Sequence, residues 1–132
     1  MNKRKIKIGI LGGSFDPAHK GHLAISKEAR KRFKLKKIIW AITKKNPLKA
    51  VSKTPVSKRI KDCKKLIGSN TFIKVKFYED TINSNKTIDL INYLKKNKKL
   101  EIFFLMGADN LISFHKWHKS KLITKQCNII VF

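Results

Sequence analysis

Five short apolar runs are spaced along this chain, and the stretches between them carry helical periodicity. The runs are "IKIGIL" (6–11), "KKIIWAI" (36–42), "FIKVKFY" (72–78), "EIFFLMG" (101–107) and "NIIVF" (128–132). They are rich in β-branched and aromatic residues and have strand length, not helix length. Most are nearly continuous in apolar residues, as strands covered on both faces are. The 72–78 run alternates in period two, so one of its faces is more solvated. Between the runs, Ile25, Ala29 and Phe33 share one face of a helix over 21–34. Thr54 stands as an N-cap with Pro55 at the first helical position, and Val56, Ile60, Cys63 and Ile67 make a buried stripe that ends at Gly68. Thr87 caps a further helix whose inner face is Ile88, Ile91 and Leu94. Strand–helix alternation of this kind predicts an α/β fold, a Rossmann-like parallel sheet of five strands with helices on both faces. No internal repeat or linker breaks residues 1–132, so a single domain is expected.

Composition narrows the function classes. Hydrophobic residues make up 42% of the chain, enough for an ordered core. No apolar run approaches the ~20 residues that cross a bilayer. The early "IGIL" run is shorter than the ~7–15-residue core of a secretory signal and leads into glycines, so a cytoplasmic location is expected. Cys63 and Cys127 belong to no CxxC pair and read as reduced, small core residues. Net charge is +24, from 32 basic and 8 acidic residues, which attracts polyanions. The only arginines are Arg4, Arg30, Arg32 and Arg59, and the lysines are spread over the whole chain. Base-specific readout favours arginine forks, so a solvated lysine surface is preferred over a lysine-rich nucleic-acid-binding module.

Chemistry concentrates in "GGSFDPAHKGHL" (12–23), where the first strand hands over to the first helix. Gly12 and Gly13 let the backbone approach a bulky anion. The helix start near Gly21 and His22 offers unpaired N–H groups and the positive end of a dipole. His19 and His22 are three residues apart and face the same way on a helical turn. Two imidazoles aimed at one point suit phosphoryl or nucleotidyl transfer, which depends on positioning and charge stabilisation and requires no protein nucleophile. In a parallel sheet "GADN" (107–110), after the fourth strand, lies on the same rim. The glycines do not form GxGxxG, and no GK[ST] occurs. His19/His22 and His115/His118 both form HxxH, but no further ligand at zinc spacing accompanies them, so no metal site is assigned. Asp16, before Pro17, is read as fixing the turn.

These residues resemble the nucleotidyltransferase superfamily with the (H/T)xGH motif, here His19-Lys20-Gly21-His22. The form is most similar to bacterial nicotinate-nucleotide adenylyltransferases, with their GG(T/S)FDPxHxGHL pattern. "NPLK" (46–49), "KTIDLI" (86–91) and "FLMGADNLISFHKWHKSKLI" (104–123) resemble later blocks of that family. The resemblance implies adenylyl transfer from ATP to nicotinate mononucleotide, giving deamido-NAD and pyrophosphate, with Mg²⁺ bound alongside ATP. It implies that His19 and His22 hold the ATP phosphates and stabilise the transition state. Gly12, Gly13, Ser14 and Phe15 would line the phosphate and mononucleotide cleft, Gly21 would meet the ATP phosphates, and Gly107 and Asp109 would meet the adenosine. Ser14, Lys49, Thr87 and Trp117 would hold the mononucleotide, Trp117 by stacking on the pyridine ring. Pantetheine-phosphate adenylyltransferases and glycerol-3-phosphate cytidylyltransferases are the alternatives within the superfamily; the double glycine and "GADNLISFHKW" disfavour both. The family pattern continues past the fifth strand to an "ISST-x-IR"-like segment that these 132 residues lack. A C-terminally shortened domain with weak or no turnover is therefore expected.

Overall fold

The computed structural model describes residues 5–44 and 54–132. The apolar runs form strands β1 (Ile6–Gly13), β2 (Lys37–Ile42), β3 (Ile73–Lys76), β4 (Leu100–Met106) and β5 (Asn128–Val131). Helices α1 (Lys20–Phe33), α2 (Val56–Ile67), α3 (Glu79–Ile82), α4 (Thr87–Lys95), α5 (Ala108–Ser113) and α6 (Ser120–Gln126) connect them, with a 3₁₀ turn at Phe114–Lys116. All neighbouring strands pair in parallel, in the order β3-β2-β1-β4-β5. The chain steps outward from β1 to β3 and then crosses to the other side of β1. The loops leaving β1 and β4 therefore diverge, and a crevice opens at the carboxyl ends of the central strands.

Alternation along the central strands builds two cores, one on each face of the sheet. Ile8 and Ile10, Ile39 and Ala41, and Ile102, Phe104 and Met106 face α4 and α6. Leu11, Ile38, Trp40, Ile42, Phe103 and Leu105 face α1 and α2. Cys63 is buried in the second core and Cys127 half-buried beside the first; both are free thiols. Burial pushes each thiol up to about 11, which leaves it protonated and unreactive at neutral pH.

Several local expectations shift by a residue or two. β1 runs on through Gly12 and Gly13, which pair with Ala41 and Ile42 of β2. β3 is shorter than 72–78, and its exposed face is that of an edge strand. α2 begins at Val56 with Pro55 in the N-cap position, so Thr54 lies one residue outside its expected place. Likewise Thr87 is the first residue of α4, and Lys86 occupies the N-cap. The turn before α4 is held by Ser84, whose hydroxyl donates to Asp89 and accepts from the Lys86 amide. Trp117 is the extended residue that closes the 3₁₀ turn.

Candidate active site

At the start of α1 the two histidines of "HKGH" cap the helix reciprocally. The Gly21 amide donates to His19 Nδ1 at 3.0 Å, and the His19 amide donates to His22 Nδ1 at 3.0 Å. This is a capping box built from imidazoles in place of hydroxyl and carboxylate. It has a chemical consequence: a nitrogen that accepts a hydrogen bond carries no proton. Each neutral ring therefore bears its hydrogen on Nε2, and each Nε2–H remains a donor. The ring centroids are 4.0 Å apart. Glycine at position 21 leaves the His19 ring its place, because a Cβ there would lie 2.7 Å from His19 Cε1 and 2.8 Å from His19 Nδ1.

His22 is anchored from behind. Its ring lies against Phe15 at 4.6 Å and Trp40 at 5.8 Å, and Phe15 stacks on Trp40 at 5.0 Å. The buried Trp40 Nε1–H donates to Ser26 Oγ at 2.8 Å, and Ser26 Oγ donates to the His22 carbonyl at 2.8 Å. Burial lowers the His22 pKa to about 4, with the nearby His19 contributing in the same direction. The ring is neutral at physiological pH, in the state that the capping box needs. Phe15 takes a left-handed backbone, φ 51°, and the Asp16–Pro17 bond that follows is cis.

The histidines line a cavity of about 700 Å³ at the rim of the sheet. Gly12, Gly13, Ser14, Phe15, Gly21, Thr87, Gly107, Asp109 and Trp117 line the same cavity. The structure thus gathers the site residues expected from sequence into one place, except Lys49, which lies outside the described residues. Gly107 is the N-cap of α5, and a Cβ there would meet Asp109 Oδ1 at 2.8 Å. Trp117 packs edge-on against Phe104 at 5.9 Å and against Phe114 at 5.1 Å, so it is a wall both of the first core and of the cavity.

Other lining groups escaped the sequence reading. Glu79, at the start of α3, takes the Lys44 amide on Oε1 at 3.0 Å. Burial raises its carboxyl pKa, against the pull of that amide and of Arg59. Its Oε2 and the neighbouring wall's Thr43 Oγ1 are buried without a hydrogen-bond partner. Lys116 and His118 flank Trp117 on the rim. Trp40 lies behind the cavity wall, fully buried, where its indole N–H needs an acceptor. Glu79 carried no signal in the sequence, because a short helix in a polar stretch has no periodicity.

A parallel α/β sheet with imidazole donors at a helix start and a cavity across the switch point defines a nucleotide-handling protein. Residues 10–132 match the cytidylyltransferase-like family model. A probable nicotinate-nucleotide adenylyltransferase from Pelagibacter ubique (strain HTCC1062) is 68% identical over 132 residues, all of this chain and 73% of that protein. Another from Bradyrhizobium sp. (strain ORS 278) is 36% identical over 127 residues, 96% of this chain and 66% of that protein. Among solved structures, a Vibrio parahaemolyticus protein assigned as a nicotinate-nucleotide adenylyltransferase superposes with a TM-score of 0.79 at 19% identity, covering 95% of this chain and 72% of that one. Plasmodium falciparum nicotinic acid mononucleotide adenylyltransferase complexed with NaAD superposes with a TM-score of 0.73 at 18% identity, covering 96% and 74%. The chain belongs to the cytidylyltransferase-like family and, within it, to the nicotinate-nucleotide adenylyltransferases. Among the described residues, no helix is long and apolar enough to cross a membrane.

Proposed function

We propose that this chain carries the site for adenylyl transfer from ATP to nicotinate mononucleotide, a step of NAD biosynthesis, acting in the cytoplasm. The observation that carries the mechanism is the histidine capping box, which leaves two Nε2–H donors on one wall of the cavity. A phosphate oxygen of the mononucleotide attacks the α-phosphorus of ATP. The bond from that phosphorus to the bridging oxygen breaks, and pyrophosphate leaves with its electron pair. The products are deamido-NAD and pyrophosphate. His19 and His22 donate to the phosphate oxygens as charge develops, without gaining or losing a proton. Gly12, Gly13, Ser14, Phe15 and Gly21 bring backbone close to the phosphates. Gly107 and Asp109 hold the adenosine, Asp109 by accepting from a ribose hydroxyl. Lys49, Thr87 and Trp117 hold the mononucleotide, with Trp117 against the pyridine ring.

The residues present fit a Mg²⁺ ion that arrives on the triphosphate. No cluster of three or more His, Cys, Asp or Glu exists among the described residues, while Asp16, Glu79 and Asp109 are on the cavity wall. Mg²⁺ is commonly held by phosphates, waters and at most one or two carboxylates. When bound, it offsets charge on the triphosphate.

Calorimetry on the 132-residue chain tests the reading, with nicotinate mononucleotide and ATP as separate ligands. Both should bind, and His22→Ala should weaken ATP. In turnover, loss of one such donor costs roughly 10²–10³ in kcat. Absence of binding by either nucleotide, with salt-sensitive binding of random duplex DNA, would overturn the reading in favour of a polyanion-binding module.

A further inference from the structure

We propose that Arg59 is a positioning residue, one that sets the peptide plane of the Ser14–Phe15 loop and thereby the mononucleotide side of the cavity. The inference rests on the reading above that the cavity takes two nucleotides. Arg59 is 2% exposed on a helix whose other basic residues face solvent. Among the described residues, the ion pairs are Arg32–Glu28 and Lys58–Asp62, so its charge is not met by a carboxylate in contact. Four backbone carbonyls meet it instead. Nε donates to Thr54 O at 3.0 Å, Nη1 to Ser14 O at 2.9 Å and Thr43 O at 2.7 Å, and Nη2 to Lys44 O at 3.1 Å.

A buried guanidinium is costly unless its donors are satisfied, so these bonds are a condition of its burial. What matters for function is where the four carbonyls lie. Ser14 follows the end of β1, Thr43 and Lys44 follow the end of β2, and Thr54 precedes α2. One planar fork therefore holds the exits of two adjacent strands in fixed relation. It also holds Lys44 and Thr54 together.

In a planar trans peptide the C=O and N–H point to opposite sides. Drawing the Ser14 carbonyl onto Arg59 turns the Phe15 N–H away from the guanidinium, in a loop that lines the cavity. A lysine cannot reproduce this, because its single ammonium lacks the fork. His19, His22, Gly107 and Asp109 take no hydrogen bond from Arg59, so its influence on the ATP side runs only through Phe15, whose ring lies on His22 at 4.6 Å.

The test is Arg59→Lys in the full chain, titrated with nicotinate mononucleotide and with ATP. The mononucleotide Kd should rise about tenfold, corresponding to the loss of about 1.4 kcal/mol, and the ATP Kd should change much less. Equal weakening of both ligands would mark Arg59 as merely structural, and unchanged mononucleotide affinity would also overturn the proposal. Should the variant not fold, the wild-type chain supplies a second readout by nuclear magnetic resonance. The Arg59 Nε–H and Phe15 amide signals should move together, and further with mononucleotide than with ATP; independent movement, or a larger shift with ATP, overturns the proposal. If the wild-type chain binds neither nucleotide, the functional reading fails, and inorganic phosphate becomes the probe. Joint movement of the same two signals with phosphate then supports the assignment, and its absence overturns that as well.

Discussion

At the scale of the residue, His22 joins fold and function through one nitrogen. Its Nδ1 accepts the His19 amide, so protonation there removes an acceptor that the helix start uses. The pKa falls from 6.5 to about 4 in the folded chain, chiefly because the ring is half-buried. The unfolded chain therefore binds more protons between those two values, and stability rises with pH across that window. The stabilisation is fully present above about 6.5 and is lost as pH falls towards about 4. Chemical denaturation at several pH values should show this slope, and His22→Gln should show a shallower one. An identical slope in both chains would place the loss on other groups, the carboxylates first. Nucleotide binding should weaken over the same window in the wild type, since the charged ring forfeits the cap that orients Nε2.

Elements transmit that order. α1 is joined to β2 by the Trp40–Ser26–His22 chain of hydrogen bonds, which runs through the second core. Trp40→Phe removes the indole donor and leaves unfilled space, which should destabilise the chain by about 2 kcal/mol. A melting curve checks this, and an unchanged Tm would mean that Ser26 finds another partner. Gly21→Ala separates position from stability more sharply. Alanine gains about 1 kcal/mol in helix propensity, and loss of the His19 cap costs about as much. Tm should therefore hardly change, while the displaced His19 ring should weaken ATP binding at least tenfold; parallel losses in Tm and affinity would refute this. The contrast shows what was legible in the sequence. β1, the glycine pair and "HKGH" were readable because each has its own local pattern, as did Asp109 and Trp117 through their block. The imidazole capping box was not, because histidine is rarely read as a cap. Arg59 was hidden among lysines of similar charge, and only its burial distinguishes it. Thr54 and Thr87 were placed at N-caps on propensity, whereas tertiary contacts of Arg59 and the Ser84–Asp89 turn fix where those helices begin.

For the molecule as a whole, the governing quantity is the net charge of +24. The ion pairs found among the described residues are exposed i,i+4 contacts, which contribute little. Like charges over a small surface repel one another and destabilise the compact state, and salt screens that repulsion. The Debye length shrinks from about 30 Å at 0.01 M to about 10 Å at 0.1 M, from the span of a small domain to that of neighbouring side chains. The same field draws anionic nucleotides towards the cavity, and salt screens that attraction too. One variable should therefore move two observables in opposite directions. Raising sodium chloride from about 10 to about 150 mM should raise Tm and weaken ATP binding. The Arg59 fork is short-range and buried, so its hold on the Ser14–Phe15 loop should change little with salt, while ATP, the more highly charged ligand, should lose more affinity than the mononucleotide. Sodium sulfate at matched ionic strength distinguishes general screening from anion binding in the cavity: an extra rise in Tm that disappears in His22→Ala belongs to the cavity. A Tm that stayed flat or fell with sodium chloride would show that the lysines are too well solvated to repel. The attraction of nucleotides would then have to come from the site alone.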